Sequence, residues 1–400
     1  MGAEFSGGQS PIDFDHRYQS PLYTEDHRAW RDTLRKFIEA EMMPHVNEWD
    51  EAGEFPRSLY KKAAAVGLIG LGYPAEYGGT PVSDPFYAIV TAEEMARLGA
   101  GGINASLLVH GIGLPPVLAI GSEEMKARVA PLVLAGEKIH ALAITEPSGG
   151  SDVANIKTRA VRVKDSGGDH YVVNGSKMFI TAGMRADFYT VAVRTGGEGA
   201  GGLSLLLLER DMKGFTRTPL KKQGWWASDT AALYFDDVQV PVANLIGAEN
   251  QGFIGIMRNF NSERIGMAAS ANAFARVCFE DALAWARARY TFGQRLADHQ
   301  VIRHKFAEMA RKISATQAWL EQCAVRVKAG ETPVADLSLL KVQATLTMEY
   351  CAREAMQIMG GAGYMRGCRV ERIYREVRVN AIGGGSEEIM RDLAARQLGI

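Results

Sequence analysis

One carboxylate stands among the apolar positions of a predicted helix in the second half of the chain. With about 3.6 residues per turn, the helix would align Phe253, Ile256, Phe260, Met267, Phe274 and Trp285 on one stripe. Glu263 falls inside this stripe, whereas Arg264 points about 100° away around the helix. An acid on an apolar face is costly unless it is paired, neutralised or used as a base. A buried ion pair with a distant arginine, or a helix broken at Asn261-Ser262, would account for Glu263 equally well.

A second group of candidate residues follows two predicted strands. In "AITEPSGGSDV" a strand ends in a loop, where Gly149 and Gly150 let backbone approach a ligand and Ser151 adds a hydroxyl. In "SKMFITAG" another strand ends in an aromatic residue, Phe179. On its own the loop is equally consistent with an ordinary turn, and a strand phenylalanine is usually a core residue.

The composition indicates a globular chain and excludes several classes of protein. Its 400 residues, 47% of them hydrophobic, are enough for two or three domains. A net charge of -1 argues against nucleic-acid binding, and no apolar run approaches the length of a membrane span. Residues 1–20 lack the apolar core of a signal peptide, and we expect them to be disordered. The cysteines form no CxxC pair, so free thiols in a reducing cytoplasm are expected, with no metal site: Cys278, Cys323, Cys351 and Cys368.

The chain divides into three parts that must position these residues. Residues 21–140 have helical spacing, residues 141–247 contain short strands rich in Val, Tyr, Phe and Thr, and residues 248–400 are helical again. Helix, sheet and helix without β–α–β alternation argue against a doubly wound nucleotide fold. The sequence therefore predicts an α+β protein with an N-terminal helical domain, a middle antiparallel β domain and a C-terminal helical bundle. Asn174-Gly175 predicts a tight hairpin turn in the middle domain.

Taken together, these stretches resemble the acyl-CoA dehydrogenase family over nearly the whole chain. The matching segments occur in the family's order and at its spacing: "YPAEYGG", "ITEPSGGSDV", "NGSKMFIT", "SDTAALYFDDVQVP", "RYTFGQRLADHQ", "QIMGGAGY" and "GGGSEEIM". The resemblance implies that family's fold, including a C-terminal four-helix bundle, and FAD as cofactor. It also implies a homotetramer, a dimer of dimers, with FAD at a subunit interface.

The resemblance implies a flavin site on the middle domain. The hydroxyl or backbone of Thr145 and Thr181 would bond the flavin ring, with Thr181 near N5. Phe179 stands where many relatives have tryptophan, so an aromatic still covers the ring but one N–H donor is absent. The residues implied on this side are Leu142, Ile144, Thr145, Gly150, Ser151, Phe179, Ile180 and Thr181.

The rest of FAD is implied to contact the C-terminal part of the chain. Arg289 would bind the pyrophosphate, a task suited to a planar guanidinium. His299, Gln300 and residues 357–361 would hold the adenosine half, which in the family belongs to a neighbouring subunit. Taken alone, Arg289 and His299 would more simply be surface residues, and only the joint register of the motifs favours binding. The implied residues are Arg289, Thr291, Phe292, His299, Gln300, Gln357, Gly360, Gly361, Ser386 and Glu388.

The resemblance also bears on the catalytic base. Many relatives have a catalytic glutamate where this chain has Gly384, in "NAIGGGSEEIM". The long-chain and isovaleryl-CoA branches instead take their base from the central helix, keep a small residue at the Gly384 position and match Glu263-Arg264. The expectation is that Glu263 removes the α proton of an acyl-CoA, while the backbone N–H of Gly384 and a ribityl hydroxyl of FAD bind the thioester carbonyl.

The implied substrate is a long-chain or branched acyl-CoA, as in β-oxidation. Its site would include Ser151, Asn261, Arg264 and Gly385, with room near the reacting carbons because position 384 has no side chain. We expect "NASLLVHGIGL" at the bottom of the pocket, with Gly111 and Gly113 leaving depth. Electron-transfer flavoprotein is the acceptor expected by analogy, in a bacterial cytoplasm. A flavin oxidase that uses oxygen and a non-catalytic flavoprotein remain alternatives.

Overall fold

The structure is a computed structural model that describes residues 14–166 and 168–400, without the side chains of residues 14, 15, 254 and 256–262. The chain packs as two compact units. The bundle unit comprises the described residues of Met1–Pro44, with Asp84–Gly101 and Arg264–Ile400. The sheet unit comprises His45–Ser83 and Gly102–Glu263. Because both units combine separate stretches of chain, the domain boundaries at residues 140 and 247 stay a prediction.

The elements follow the predicted order of helices, strands and helices. The helices before the sheet are α1 (Phe14–Arg17), α2 (Glu25–Glu41), α3 (Val46–Ala52), α4 (Ser58–Ala65), α5 (Phe86–Ala96), α6 (Gly101–Leu107), α7 (His110–Gly113), α8 (Pro115–Ile120) and α9 (Glu123–Leu134). The strands are β1 (His140–Ala143), β2 (Arg159–Asp165), β3 (Gly168–Thr181), β4 (Phe188–Arg194), β5 (Leu203–Glu209), β6 (Phe215–Pro219), β7 (Thr230–Pro241) and β8 (Leu245–Ile246). After them come α10 (Gly252–Ala288), the small hairpin β9 (Tyr290–Thr291) and β10 (Gln294–Arg295), α11 (Gln300–Lys328), α12 (Val334–Met359), α13 (Arg369–Ile382) and α14 (Glu387–Leu398). The predicted fold class is confirmed by this order.

The bundle unit is built around apolar faces of its long helices. Ala271, Ala275 and Ala282 of α10 are fully buried, so their small side chains allow neighbouring helices to approach closely. The same core takes in residues of α5, α11, α12 and α13. All four cysteines lie in this unit as free thiols, as predicted, and Cys278 and Cys351 belong to its core.

The N-terminal segment of the bundle unit differs from the expectation of disorder through residue 20. Residues 14–20 form α1 and a turn, and only residues 1–13 of the predicted segment lie outside the described residues. Tyr18 is 2% exposed, and its hydroxyl donates to Glu93 at 3.1 Å. Glu93 in turn pairs with the fully buried Arg276 at 2.8 Å. The segment is ordered because its aromatic side chain completes a buried polar network.

The sheet unit contains a mixed sheet rather than the predicted antiparallel one. The strand order is β6-β7-β3-β2-β4-β5-β8, and β1 pairs with β4. The β1–β4 pair is parallel, and β2 joins β4 through a parallel bridge between Arg159 and Arg194. Parallel pairing needs a long crossover, which the chain between β1 and β4 supplies. The near-continuous burial of β4 and β5, rather than an alternation of buried and exposed residues, is the local signal consistent with this mixed pairing.

The predicted hairpin at Asn174-Gly175 is wrong. Strand β3 runs through both residues, and β2 turns into β3 after Asp165. The pairing of β3 with β7 shifts register between Val173 and Gly175, where Gly175 has a φ of 144°. A Cβ at Gly175 would lie 2.7 Å from the Thr158 Cα. The glycine therefore serves a bulge and a close backbone approach rather than a turn.

No single helix among the described residues is long and apolar enough to cross a membrane. The bent pair Gly101–Leu107 and His110–Ile120, which meet at 48°, passes that test of length and composition only when taken together.

The network around Glu93 gives a stability prediction. Tyr18→Phe removes a donor to a buried carboxylate, a bond that contributes about 1.5–3 kcal/mol. We expect its melting temperature, measured by circular dichroism on the FAD-loaded protein, to fall by roughly 5 °C. Tyr374→Phe, at a position 40% exposed, is the matched control and should leave it unchanged. A Tyr18→Phe protein as stable as the control would mean that the network does not anchor the segment.

Candidate active site

The structure brings together the two strand ends predicted to hold the flavin. The backbone N–H of Met178 donates to the Thr145 carbonyl at 2.8 Å. The Lys177 ammonium donates to the Ile144 carbonyl at 3.0 Å. The end of β1 and the end of β3 therefore form one surface of the sheet unit, as the matching motifs implied.

Phe179 points away from the core. It has a φ of 63° and lies in the register shift between Lys177 and Ile180, and its side chain is 67% exposed. A bulge re-aims a side chain in this way, and a positive φ is strained for an aromatic residue. Ile180 beside it is only 3% exposed. An exposed aromatic held by a strained bulge fits a cover for a flat ring, and the alternative of an ordinary core residue is wrong.

The loop after β1 closes tightly on itself. The backbones of Glu146 and Gly149 exchange hydrogen bonds of 3.2 and 3.1 Å. A Cβ at Gly150 would lie 3.2 Å from the Thr145 Cγ2, whereas Ser151 is exposed. Leu142 is half-buried and Ile144 is 7% exposed. The loop thus presents backbone and the Ser151 hydroxyl to solvent, as a cofactor or thioester site requires.

A buried ion pair behind this loop escaped the sequence analysis. The Lys177 ammonium, fully buried, lies 2.9 Å from Glu146, which is 4% exposed. The other bonds to Glu146 come from the backbone N–H groups of Lys157 at 2.7 Å and Thr158 at 2.8 Å. Burial lowers the pKa of Lys177 to about 8, against the opposing attraction of Glu146. The sequence signal that could have revealed this pair is a charged residue in each of the two strand motifs: Glu146 in "ITEP" and Lys177 in "GSKMF".

The bundle unit holds a cavity where four of the predicted FAD residues meet. Its volume is about 430 Å³, and it is lined by Trp285, Arg289, Thr291, Leu296, Ile358, Met359, Gly360, Gly361 and Ala362. The Arg289 guanidinium carbon lies 6.0 Å from the centre of the Trp285 ring. The cationic Arg289 beside Gly360 and Gly361, which allow a ligand to approach the backbone closely, suits a ligand that carries phosphate.

The other predicted residues of this side do not line the cavity. The His299 ring contacts the Thr291 hydroxyl at 3.0 Å and the Gln294 amide at 3.0 Å. Gln300 and Gln357 are exposed, and Phe292 is 98% exposed. His299 is therefore fixed by the β9–β10 hairpin, whereas the glutamines are free to meet a ligand from solvent.

Glu263 lies on an unbroken helix. α10 continues from Gly252 to Ala288, so the alternative of a helix broken at Asn261-Ser262 is wrong. Glu263 is half-buried, and its carboxylate lies close enough to the Tyr73 phenol to interact with it electrostatically. Burial, together with Glu263, raises the pKa of Tyr73. Arg264 is buried at 5% exposure, and the Asn261 side chain lies outside the described residues.

Gly384 is exposed and has a φ of +66°. A Cβ at this position would lie 2.4 Å from the Met267 Sδ and 2.8 Å from its Cε. The expectation that the missing side chain leaves open space is therefore wrong, because the Met267 thioether occupies it. Gly385 follows with a φ of +102°, and the Ser386 hydroxyl accepts from the backbone N–H of Ile389 at 3.4 Å, capping α14. Glu388, in the first turn of α14, is exposed.

The two glycines expected to deepen the pocket behave differently. A Cβ at Gly113 would lie 2.6 Å from the His140 carbonyl oxygen, so this glycine lets α7 approach β1. Nothing lies within 4 Å of the corresponding position at Gly111. The expectation of depth is therefore wrong for Gly113, whose space the strand backbone fills.

Comparisons with known proteins match nearly the whole chain to one family. Models of the acyl-CoA dehydrogenase N-terminal, middle and C-terminal domains match residues 24–137, 141–238 and 250–399. A long-chain specific mitochondrial acyl-CoA dehydrogenase from Rattus norvegicus is 36% identical, covering 94% of this chain and 87% of that protein. A crystal structure of a putative acyl-CoA dehydrogenase from Mycobacterium smegmatis has a TM-score of 0.91 and 45% identity, covering 95% and 99% of the two chains.

A further solved structure carries the reduced cofactor. It is a glutaryl-CoA dehydrogenase from Mycobacterium smegmatis in complex with FADH2, with a TM-score of 0.89 and 25% identity over 98% of each chain. The exposed aromatic, the glycine-rich loop and the arginine-bearing cavity of the present chain fit the same cofactor. We therefore regard the residues of both units as compatible with FAD.

The Lys177–Glu146 pair gives a prediction about flavin retention. Lys177→Met leaves Glu146 buried without its cation, and Glu146→Gln leaves Lys177 likewise, each at a cost of about 3–5 kcal/mol. We expect both variants to melt earlier and to release more flavin on gel filtration, because the pair ties the two strand ends together. Asp169→Asn, which breaks the exposed Arg162–Asp169 pair, is the control and should change neither. Full flavin retention in both buried-pair variants would contradict this role.

Proposed function

Because the chain belongs to the acyl-CoA dehydrogenase family of FAD-dependent oxidoreductases, we propose that it desaturates a long-chain or branched acyl-CoA with Glu263 as the base. Acyl-CoA dehydrogenation itself is the activity that the family supports. The observation that carries the finer assignment is Glu263, half-buried on an unbroken helix in a chain whose other family base position is glycine.

The proposed reaction removes two hydrogens from adjacent carbons. The Glu263 carboxylate accepts the α proton as the Cα–H bond breaks, and the electron pair of that bond forms the Cα=Cβ double bond. FAD, which Phe179 and Thr181 are proposed to hold, would supply the acceptor for the hydride that leaves the β carbon. The products are the trans-2-enoyl-CoA, a protonated Glu263 and the reduced cofactor.

The surroundings of Glu263 suit a base. Partial burial removes water from the carboxylate, which makes it a better proton acceptor than an exposed one. Its neighbour Tyr73 stays protonated, since burial and the Glu263 charge both raise the phenol pKa. A neutral phenol beside the carboxylate adds no competing negative charge.

The Gly384 backbone is proposed to bind the thioester oxygen. As the α proton leaves, negative charge develops on that oxygen, and a fixed N–H donor stabilises the transition state more than the ground state. An exposed glycine at a φ of +66° offers its backbone to a ligand with no side chain in the way. Gly385, Asn261, Arg264 and Ser151 are proposed to complete the substrate site, with Arg264 acting from a buried position.

The cofactor is proposed to bind between two subunits. The flavin would lie against Phe179 and Thr181 of one subunit, and the adenosine half would occupy the cavity that contains Arg289 and Gly361 in a neighbouring subunit. Assembly into a tetramer, with the adenosine half held by a neighbouring subunit, is supported by the exposed aromatics beside that cavity. These side chains are Tyr290 at 67%, Phe292 at 98% and Tyr364 at 76% exposure.

The substrate and partners follow from the family and the relatives. The rat relative is named for long-chain substrates, and this supports a long acyl chain here, whereas the proposal of a branched chain rests on the family resemblance. Electron-transfer flavoprotein is the proposed electron acceptor. A cytoplasmic location remains a prediction from the free cysteines, and a bacterial origin also remains a prediction, while the rat relative is mitochondrial by name.

Glu263→Gln tests the base directly. The amide keeps the shape of the side chain but cannot accept the α proton, so we expect FAD to stay bound and flavin reduction by palmitoyl-CoA and isovaleryl-CoA to fall at least about 1,000-fold. The visible absorbance of the flavin, recorded anaerobically, measures both the FAD content and the rate of flavin reduction. Glu280→Gln, a half-buried acid on the same helix, is the matched control and should reduce normally. A flavin-loaded Glu263→Gln enzyme whose flavin is reduced at the wild-type rate would contradict the assignment of Glu263 as the base.

Returning the base to position 384 is predicted to need a second change. In Glu263→Gln/Gly384→Glu the new side chain meets the Met267 Sδ at 2.4 Å from its Cβ and occupies a positive φ. We expect the double variant to recover little of the wild-type rate of flavin reduction. Adding Met267→Ala should raise that rate. Equal recovery with and without the Met267 change would show that the thioether does not fill this space.

A further inference from the structure

Lys341 is a buried cation that the proposed chemistry leaves unexplained. It lies on α12 with no exposed surface. Its ammonium donates to the Gly385 carbonyl at 2.7 Å and to the Ala381 carbonyl at 3.1 Å. The two acceptors flank Gly384 along the chain, one in the last turn of α13 and the other just before α14.

The charge and hydrogen bonds of Lys341 indicate a role other than filling space in the core. Burial lowers the pKa of Lys341 to about 8, Glu387 and Glu388 of α14 raise it, and Arg264 of α10 lowers it. A buried lysine costs stability unless its donors are used, so an apolar residue would fill the space more cheaply. The bond to Ala381 alone would be an ordinary cap for the end of a helix. The stronger bond to Gly385, outside the helix, makes Lys341 a bridge across the turn.

The turn itself consists of two glycines, with the side chains of Met267 and Met390 beside them. Gly384 and Gly385 both have positive φ, at +66° and +102°, and glycines are the least restricted residues. α13 ends where the backbone N–H of Gly383 donates to the Val379 carbonyl at 2.8 Å, and α14 starts at the Ser386 cap. Between these two points, the direction of the Gly384 N–H depends on what holds the neighbouring peptides.

We propose that Lys341 is a positioning residue for the reaction, which bridges the Ala381 and Gly385 carbonyls and thereby aims the Gly384 N–H at the thioester oxygen. The inference rests on the proposed function, because it assumes that the Gly384 N–H binds that oxygen. Lys341 acts through the backbone and does not touch the substrate. Its loss therefore affects the transition state, where charge develops on the oxygen, more than the binding of the neutral thioester.

The experiment compares FAD-loaded wild-type protein with Lys341→Met, Lys341→Gln and Lys305→Met. Each is mixed rapidly and anaerobically with palmitoyl-CoA and with isovaleryl-CoA, and the concentration dependence of flavin bleaching separates the dissociation constant from the limiting rate. Lys305 is the control, since it is another lysine of the bundle unit, partly buried and paired with Glu354. Melting temperature and flavin content are recorded for every protein.

We expect the limiting rate of Lys341→Met to fall roughly 10- to 100-fold, with the dissociation constant changed less than about threefold. Lys341→Gln, which keeps N–H donors but is too short to reach both carbonyls, should be intermediate. Lys305→Met should melt earlier and keep the wild-type limiting rate.

A second readout separates aiming from general destabilisation. 3-Oxohexadecanoyl-CoA ionises to an enolate with negative charge on the thioester oxygen, so its affinity should weaken about as much as the limiting rate falls in Lys341→Met. A Lys341 variant that holds FAD and matches the wild type in limiting rate overturns the inference; if the Met variant does not fold, the Gln variant is judged in the same way. Wild-type flavin that stays oxidised with both thioesters instead overturns the proposed function.

Discussion

The unbroken helix from Gly252 to Ala288 is the constraint on which the proposed chemistry depends. Its continuity through residue 263 is what makes a half-buried acid possible there, since a break would release the side chain to water. With Glu263 proposed as the base, the proposed reaction needs no side chain at position 384. The glycine there, at positive φ and beside the Met267 thioether, has only its backbone N–H to donate to a ligand.

In both units a buried lysine holds backbone beside a proposed site. In the sheet unit Lys177 joins the Ile144 carbonyl to Glu146 behind the bulge at Phe179. In the bundle unit Lys341 joins two carbonyls on either side of Gly384. Burial lowers the pKa of each ammonium to about 8. An ammonium has three donors and can bind several carbonyls at once, which suits it to fix glycine-rich backbone that lacks side chains of its own.

The sequence was informative where the pattern is local. Helical periodicity and strand composition predict the order of elements. The family resemblance implies that Arg289 and Gly361 contact the same cofactor, and both residues line one cavity. Prediction from the sequence failed where pairing with a strand distant in the chain determines the local structure. Asn174-Gly175 has turn chemistry, but pairing with β7 extends the strand through it. The space at Gly384 also depends on Met267, which lies more than a hundred residues away in sequence, so no local signal could reveal that it is filled.

Exchange of the α hydrogens with solvent tests the central claim most directly. FAD-loaded wild-type and Glu263→Gln proteins would be incubated anaerobically with palmitoyl-CoA deuterated at the α carbon, and loss of deuterium to water followed by mass spectrometry. We expect loss of deuterium with the wild type and none with Glu263→Gln, while both proteins bind the thioester and keep FAD. Equal loss from both proteins would mean that another group removes the α proton.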